Sequence, residues 1–218
     1  MDKTNNIPEA ENKQVELLSA ESRKTITKIA AVVLGVVAVV LIYVFAIHVP
    51  SVNKANEAIG AVDAMAMNAT SDSLLIEAYA EVAANHGGDA AARANYMAAV
   101  LSYQNGDYEK ALGFIEEYNG SDVLVASMAN GIKGDCLVNL DRNAEAVKAF
   151  DAAISAADDT DRLVVYFMTK KATVLSAMGE HKEAAAIYEE IVAKYPTVMP
   201  GNTKARMLQE KGLASSAE

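Results

Sequence analysis

Three stretches of the chain, ANYMAAVLSYQNGDYEKALGFI, NGIKGDCLVNLDRNAEAVKAF and MTKKATVLSAMGEHKEAAAIY, carry one order of residue types. In the first, Ala99 is followed seven residues later by Gly106, then by Tyr108, Ala111 and Ile115. In the second, Gly134 precedes Asp141, Asn143, Ala146 and Phe150. In the third, Ala172 precedes Gly179, His181, Ala184 and Tyr188, and Pro196 closes the unit. The matching alanines Ala111, Ala146 and Ala184 lie 35 and 38 residues apart. Such self-similarity restricts the chain to folds in which one small unit stacks on the next.

The residue types say what the unit is. Small side chains at Ala99, Gly134 and Ala172, and again at Ala111, Ala146 and Ala184, let two helix backbones approach closely. Ile115, Phe150 and Tyr188 are large enough to fill the space between one pair and the next. Gly106 and Gly179 permit the turn between the helices, and Asp141 is a weaker substitute in the middle unit. A period near 34 with this pattern is the tetratricopeptide repeat, a helix, a tight turn and a helix. The expected fold class is all-α, an N-terminal single transmembrane helix followed by a tetratricopeptide-repeat α-solenoid of helical hairpins.

The transmembrane element is the run IAAVVLGVVAVVLIYVFAI, Ile29 to Ile47, which holds 19 residues and no charge. At helical rise it extends roughly 28 Å, close to the hydrocarbon thickness of a bilayer. Arg23, Lys24 and Lys28 stand directly before it, whereas the next bases after it are Lys54 and Arg93. The positive-inside rule then keeps the N-terminus in the cytoplasm and sends the larger part across the membrane. A cleaved signal peptide is the competing reading, but its apolar core is about 7 to 15 residues behind a short basic start. A buried core helix fits less well, because no polar face interrupts the run. His48, Tyr43 and Phe45 are read as interfacial residues at its outer end. The chain therefore divides into a cytoplasmic tail (1–28), an anchor (29–49), a stalk beyond a bend near Pro50 (50–71), a periplasmic repeat domain (72–213) and a frayed end (214–218). In the tail, a helical turn or two around Val15 to Leu18 is expected. Ser71 or Asp72 is expected to cap the helix that follows the stalk.

The net charge of −10 arises wholly after residue 28, since the first 28 residues hold five acids and five bases. That balance excludes a nucleic-acid partner, which needs a basic footprint. A lone Cys136 leaves no disulfide framework and is read as a buried thiol. His48, His86 and His181 fall on different elements without metal-ligand spacing. Asp158, Asp159 and Asp161 lack the glycine and distal glutamate of a calcium loop and read as a solvated turn and helix cap. No catalytic group, metal or cofactor is expected, and the chain is read as non-enzymatic.

The concave side of a stacked array is lined by the first helix of each pair. Counting the small residue as the eighth position, the second, fifth, ninth, twelfth and thirteenth positions face that groove. They are Arg93, Tyr96, Val100, Tyr103 and Gln104, then Met128, Gly131, Asp135, Val138 and Asn139, then Tyr166, Thr169, Thr173, Ser176 and Ala177. This mixture of apolar, aromatic and amide groups suits an extended or helical peptide. Ordinary packing between helices is the competing account of Tyr96, Tyr103 and Tyr166. After Pro200, a last helix over Asn202 to Gly212 is expected to cap the array, with Met207 and Leu208 inward and Lys204, Arg206, Gln209 and Glu210 outward.

The blocks NYMAAVLSYQNGDYEKAL, GIKGDCLVNLDRNAEAVKAFDAAI and KKATVLSAMGEHKEAAAIYEEIVAKYP, in this order behind one anchor, resemble the periplasmic region of YfgM-like proteins. The resemblance runs from the anchor to Pro196. It implies a single-pass protein of the inner membrane that associates with a SecYEG-like translocon and with a PpiD-like periplasmic chaperone, close to unfolded client peptides. An envelope assembly scaffold unconnected with export is the alternative of a different class.

Overall fold

The structure is a computed structural model that describes residues 20–68, 71–157 and 160–216. The tail before residue 20, with the turns expected around Val15, and Asp158 and Asp159 lie outside these residues. The chain divides into two units, Met1–Ser51 and Val52–Glu218.

In the first unit, α1 (Ala20–Tyr43) leads into a π-helical turn, Val44–His48, and α2 (Val49–Ala66) opens directly after it. The apolar side chains from Ile29 through Ile47 are exposed nearly throughout. By length and composition this helical segment can cross a membrane. The helical run continues without a break to Pro50, which sits in the first turn of α2. Proline lacks an N–H, and its ring crowds the carbonyl four residues back in a regular helix. The wider π turn, in which the Val49 N–H bonds to the Val44 carbonyl, accommodates it. The Tyr43 and His48 rings stack across that turn with centroids 6.4 Å apart.

In the second unit, Ala55, Ile59 and Val62 of α2 recur at helical spacing and are buried. They form one core with Leu75, Tyr79 and Val82 of α3 (Asp72–Asn85) and Ala90, Ala94 and Ala98 of α4 (Gly88–Gln104). The segment expected as a stalk thus supplies part of the repeat core. Ser71 is the cap residue of α3, although its side chain makes no capping bond.

Three hairpins follow: α4 with α5 (Tyr108–Glu116), α6 (Val123–Asn139) with α7 (Asn143–Ala157), and α8 (Asp161–Ala177) with α9 (His181–Lys194). Their turns share one geometry. Asp107 N–H bonds to the Ser102 carbonyl at 2.9 Å, Arg142 to Leu137 at 2.8 Å and Glu180 to Leu175 at 2.9 Å. Each is the six-to-one bond of a Schellman motif, which requires a left-handed residue just before the donor. Gly106, Asp141 and Gly179 take that conformation, with φ of 80°, 58° and 83°.

Between the helices the small residues are fully covered, with Ala99, Ala111, Ala146, Ala172 and Ala184 all at 0% exposure. The closest approach is in the middle. A Cβ on Gly134 would lie 2.5 Å from the Phe150 ring of α7, and one on Gly131 would collide with the Phe167 ring of α8. These two rings stack with centroids 6.4 Å apart, so α6, α7 and α8 meet around one aromatic pair. The buried Ser127 hydroxyl donates to the Ala153 carbonyl at 2.8 Å and ties α6 to α7 again. From α8, the Lys170 ammonium reaches back to both Asp135 oxygens of α6 at 2.7 and 2.9 Å.

α10 (Thr203–Ser216) packs on α9, and its inner face runs Thr203, Met207 and Glu210. Two assignments are corrected here. Leu208 points outward at 65% exposure, while Glu210 is buried at 5%. The end of the array is partly polar: Glu210 accepts the Ser176 hydroxyl and binds His181 Nδ1, both at 2.8 Å. Residues 214 to 216, expected as frayed, continue the helix.

Replacing Gly134 by Val is expected to lower stability by about 1–3 kcal/mol, because the added carbons displace the Phe150 ring. Urea denaturation followed by helical ellipticity measures it, and unchanged stability would contradict the packing described. Replacing Lys170 alone by Met should cost about 1–3 kcal/mol by stranding the half-buried Asp135 carboxylate. Adding Asp135→Leu should restore most of that loss, which a double-mutant cycle reads directly.

Candidate partner-binding groove

The first helices of the hairpins form a continuous layer, which α10 extends. α4 touches α6 directly, Lys170 of α8 pairs with Asp135 of α6, and Arg206 of α10 reaches Thr173 of α8 at 3.5 Å. The expected groove residues lie along this layer. Arg93, Gln104, Asn139, Tyr166 and Thr173 are exposed, whereas Tyr96, Val100, Tyr103, Asp135 and Thr169 are half-buried. Gly131 does not line the groove, because the Phe167 ring covers it.

Each part is held by local chemistry. Tyr96 packs against Tyr118 and Tyr103 against Tyr108, with ring centroids 6.1 and 5.5 Å apart. Thr169 and Thr173 donate their hydroxyls back to the carbonyls one turn earlier, Val165 and Thr169, and the Thr173 oxygen also faces Arg206. Asn139 likewise donates to the Asp135 carbonyl at 2.8 Å. Tyr166, 52% exposed, stands edge-on to Phe167, and the Lys170 ammonium lies 5.1 Å from its ring centroid. That contact adds a cation–π attraction to the ion pair.

Lys170 is the residue that the positional rule passes over. It sits in the groove between Thr169 and Thr173, and its signal in the sequence is an opposite charge, Asp135, 35 residues earlier. Burial raises the Asp135 carboxyl above its ordinary value, against the pull of Lys170. Burial also disfavours the Lys170 ammonium, but the Asp135 hydrogen bond and charge outweigh it and hold its pKa above that of an ordinary lysine. The Tyr103 hydroxyl is raised by burial and then by the Asp135 charge, which brings α4, α6 and α8 together at one point. Beneath it, burial and the same charge push the Cys136 thiol up to about 12, so at neutral pH it is an inert, protonated core group.

At the first-repeat end the groove deepens into a cleft of about 560 Å³. Ala92, Arg93, Tyr96 and Met97 of α4 form one wall, and Tyr118 and Val125 form the other. Asp122 caps α6 there, its carboxylate accepting the Val125 N–H at 2.9 Å. The loop between α5 and α6 had no motif to mark it in the sequence. Arg93 is tied at 2.8 Å to Asp63, whose other oxygen accepts the Tyr79 hydroxyl. Apolar side chains at Leu124 and Met128 remain exposed beside the cleft.

Family comparisons match this layout. Three segments, residues 76–123, 129–160 and 166–197, each match a family described as "Tetratricopeptide repeat". Among solved structures, the chain is similar to a crystal structure from Podosopora anserina described as kinesin light chain nearly identical TPR-like repeats. The TM-score is 0.55 at 12% identity, covering 75% of this chain and 88% of that one, a likeness of fold. Comparison with curated proteins gives no match. With three successive matched segments and a solved repeat array of like fold, the chain is a tetratricopeptide-repeat protein.

Proposed function

We propose that the protein is a membrane-anchored periplasmic interaction module of the YfgM-like kind. It associates with a SecYEG-like translocon and links emerging secreted proteins to a PpiD-like chaperone. One conjunction carries this reading: an apolar span with Arg23, Lys24 and Lys28 on its N-terminal side precedes an array of helical repeats with an open groove. The basic residues favour a cytoplasmic N-terminus and a periplasmic array. The proposed organisation keeps the anchor within 29–49 and gives the array α2 from Val52 onward. Tetratricopeptide repeats bind proteins, and tethering raises the local concentration of a weak partner without any new contact. The contact surface is the groove of Tyr96, Tyr103, Asp135, Tyr166 and their neighbours, with Asn139, Thr169 and Thr173 along its floor.

A photocrosslinking residue at Tyr96 or Tyr166 of the full chain, activated in cells before extraction in mild detergent, tests this. Translocon subunits and a membrane-anchored chaperone are the expected adducts. Recovery of envelope assembly proteins in their place would overturn the export role and favour a scaffold. Absence of any adduct from both positions would count against the groove.

A further inference from the structure

Charge is ordered across the repeats. The second-layer helices α3, α5, α7 and α9 carry ten acids against four bases. Among the groove helices, α4 and α6 each hold one acid and one base, whereas α8 and α10 each hold three bases against one acid. The second-layer helices are thus net acidic and α8 and α10 net basic, but Lys171 pairs with Asp151 of α7 and Lys211 with Glu189 of α9, so the bases of these two helices that meet groove residues are Lys170 and Arg206.

The two ends of the groove differ in local chemistry. At the cleft the exposed Arg93 guanidinium is paired with Asp63, whereas among the described residues no cation pairs with the exposed Asp89 and Asp122 of the rim. At the far end, Arg206 is exposed and directed toward two neutral hydroxyls, Tyr188 at 3.4 Å and Thr173 at 3.5 Å. Among the described residues no carboxylate pairs with it. Glu210, one turn further along, gives its oxygens to Ser176 and His181. Between the ends, Asp135 and Lys170 neutralise each other, and Met128 and Tyr166 offer apolar surface.

Three helix-to-helix steps of about 8–10 Å separate α4 from α10. An extended chain covers that span in about eight residues. The screening length at physiological salt is about 8 Å, so each end acts on what lies next to it.

We propose that the groove holds an extended segment of a partner protein in one electrical sense, with a large apolar residue beside a basic one in the Tyr96–Tyr118 cleft and an acidic residue about eight positions away at Arg206. This rests on the groove reading above. The apolar side chain fills the cleft, the base meets Asp89 and Asp122, and the acid meets the only groove-layer arginine directed at neutral partners among the described residues. Because side-chain charge sets the sense, the backbone of the segment can run either way.

The test uses the full chain in detergent micelles and two fluorescent peptides of about fourteen residues on a Gly/Ser/Thr background. One carries Lys-Phe at one end and a single Asp about eight positions away, and its partner exchanges the Lys and the Asp around the same Phe. Anisotropy should show the exchanged peptide binding at least about tenfold more weakly at low salt, with the gap narrowing as salt rises. Arg206→Glu should abolish the preference, whereas Lys204→Glu, on the outward side of α10, should leave it intact. Equal binding of the two peptides, or tighter binding of the exchanged one, would overturn the electrical sense while leaving the groove as a binding surface. Failure of both peptides to bind at about 1 mM would overturn both the sense and the groove.

Discussion

The array depends on how closely α6 lets its neighbours approach. Gly131 and Gly134 present bare backbone to Phe167 and Phe150, and no side chain could stand between ring and helix. Interiors packed to this density deform little, so the position of the stacked rings fixes where α7 and α8 lie against α6. Everything on the groove side follows from that placement. Asp135 follows Gly134 by one residue, and Lys170 follows Phe167 by three, so the ion pair is aligned by the same contacts that bury the rings. Tyr166, adjacent to Phe167, is turned outward because its neighbour is turned in.

Function then divides between the repeats and the anchor. The repeats supply a layer of helices with apolar and aromatic groups along it, exposed Asp89 and Asp122 at one end and the exposed Arg206 at the other. Among the described residues the one thiol is protonated and buried, and the raised carboxyl, Asp135, is paired with Lys170. A surface of this kind acts by holding something, and its usefulness depends on where it is held. The apolar span is the part of the chain suited to setting that location.

Much of this was legible in the residues themselves. The hairpins follow from small residues and left-handed turn positions that recur in order, and Gly106, Asp141 and Gly179 form the same turn motif. What escaped reading depends on contacts between successive repeats. Lys170 was passed over because the positional rule counts within one helix, while its partner lies one repeat away. In α10, ranking residues by hydrophobicity turned Leu208 inward, whereas the array ends on a serine and a histidine that bind a carboxylate. The π turn before Pro50, which lets the helix run on past a proline, had no signal in the sequence. The cleft combines α4 with a loop that carries no pattern of its own.

The central claim is that recognition lies in the repeats and that the membrane helix only places them. Exchanging residues 29–47 for an unrelated single span of equal length, with Arg23, Lys24 and Lys28 kept, separates the two roles. The proteins recovered with the exchanged chain in mild detergent should be the same as those recovered with the native one. Loss of the partners from a correctly inserted, folded exchange would contradict the account and put recognition in the anchor.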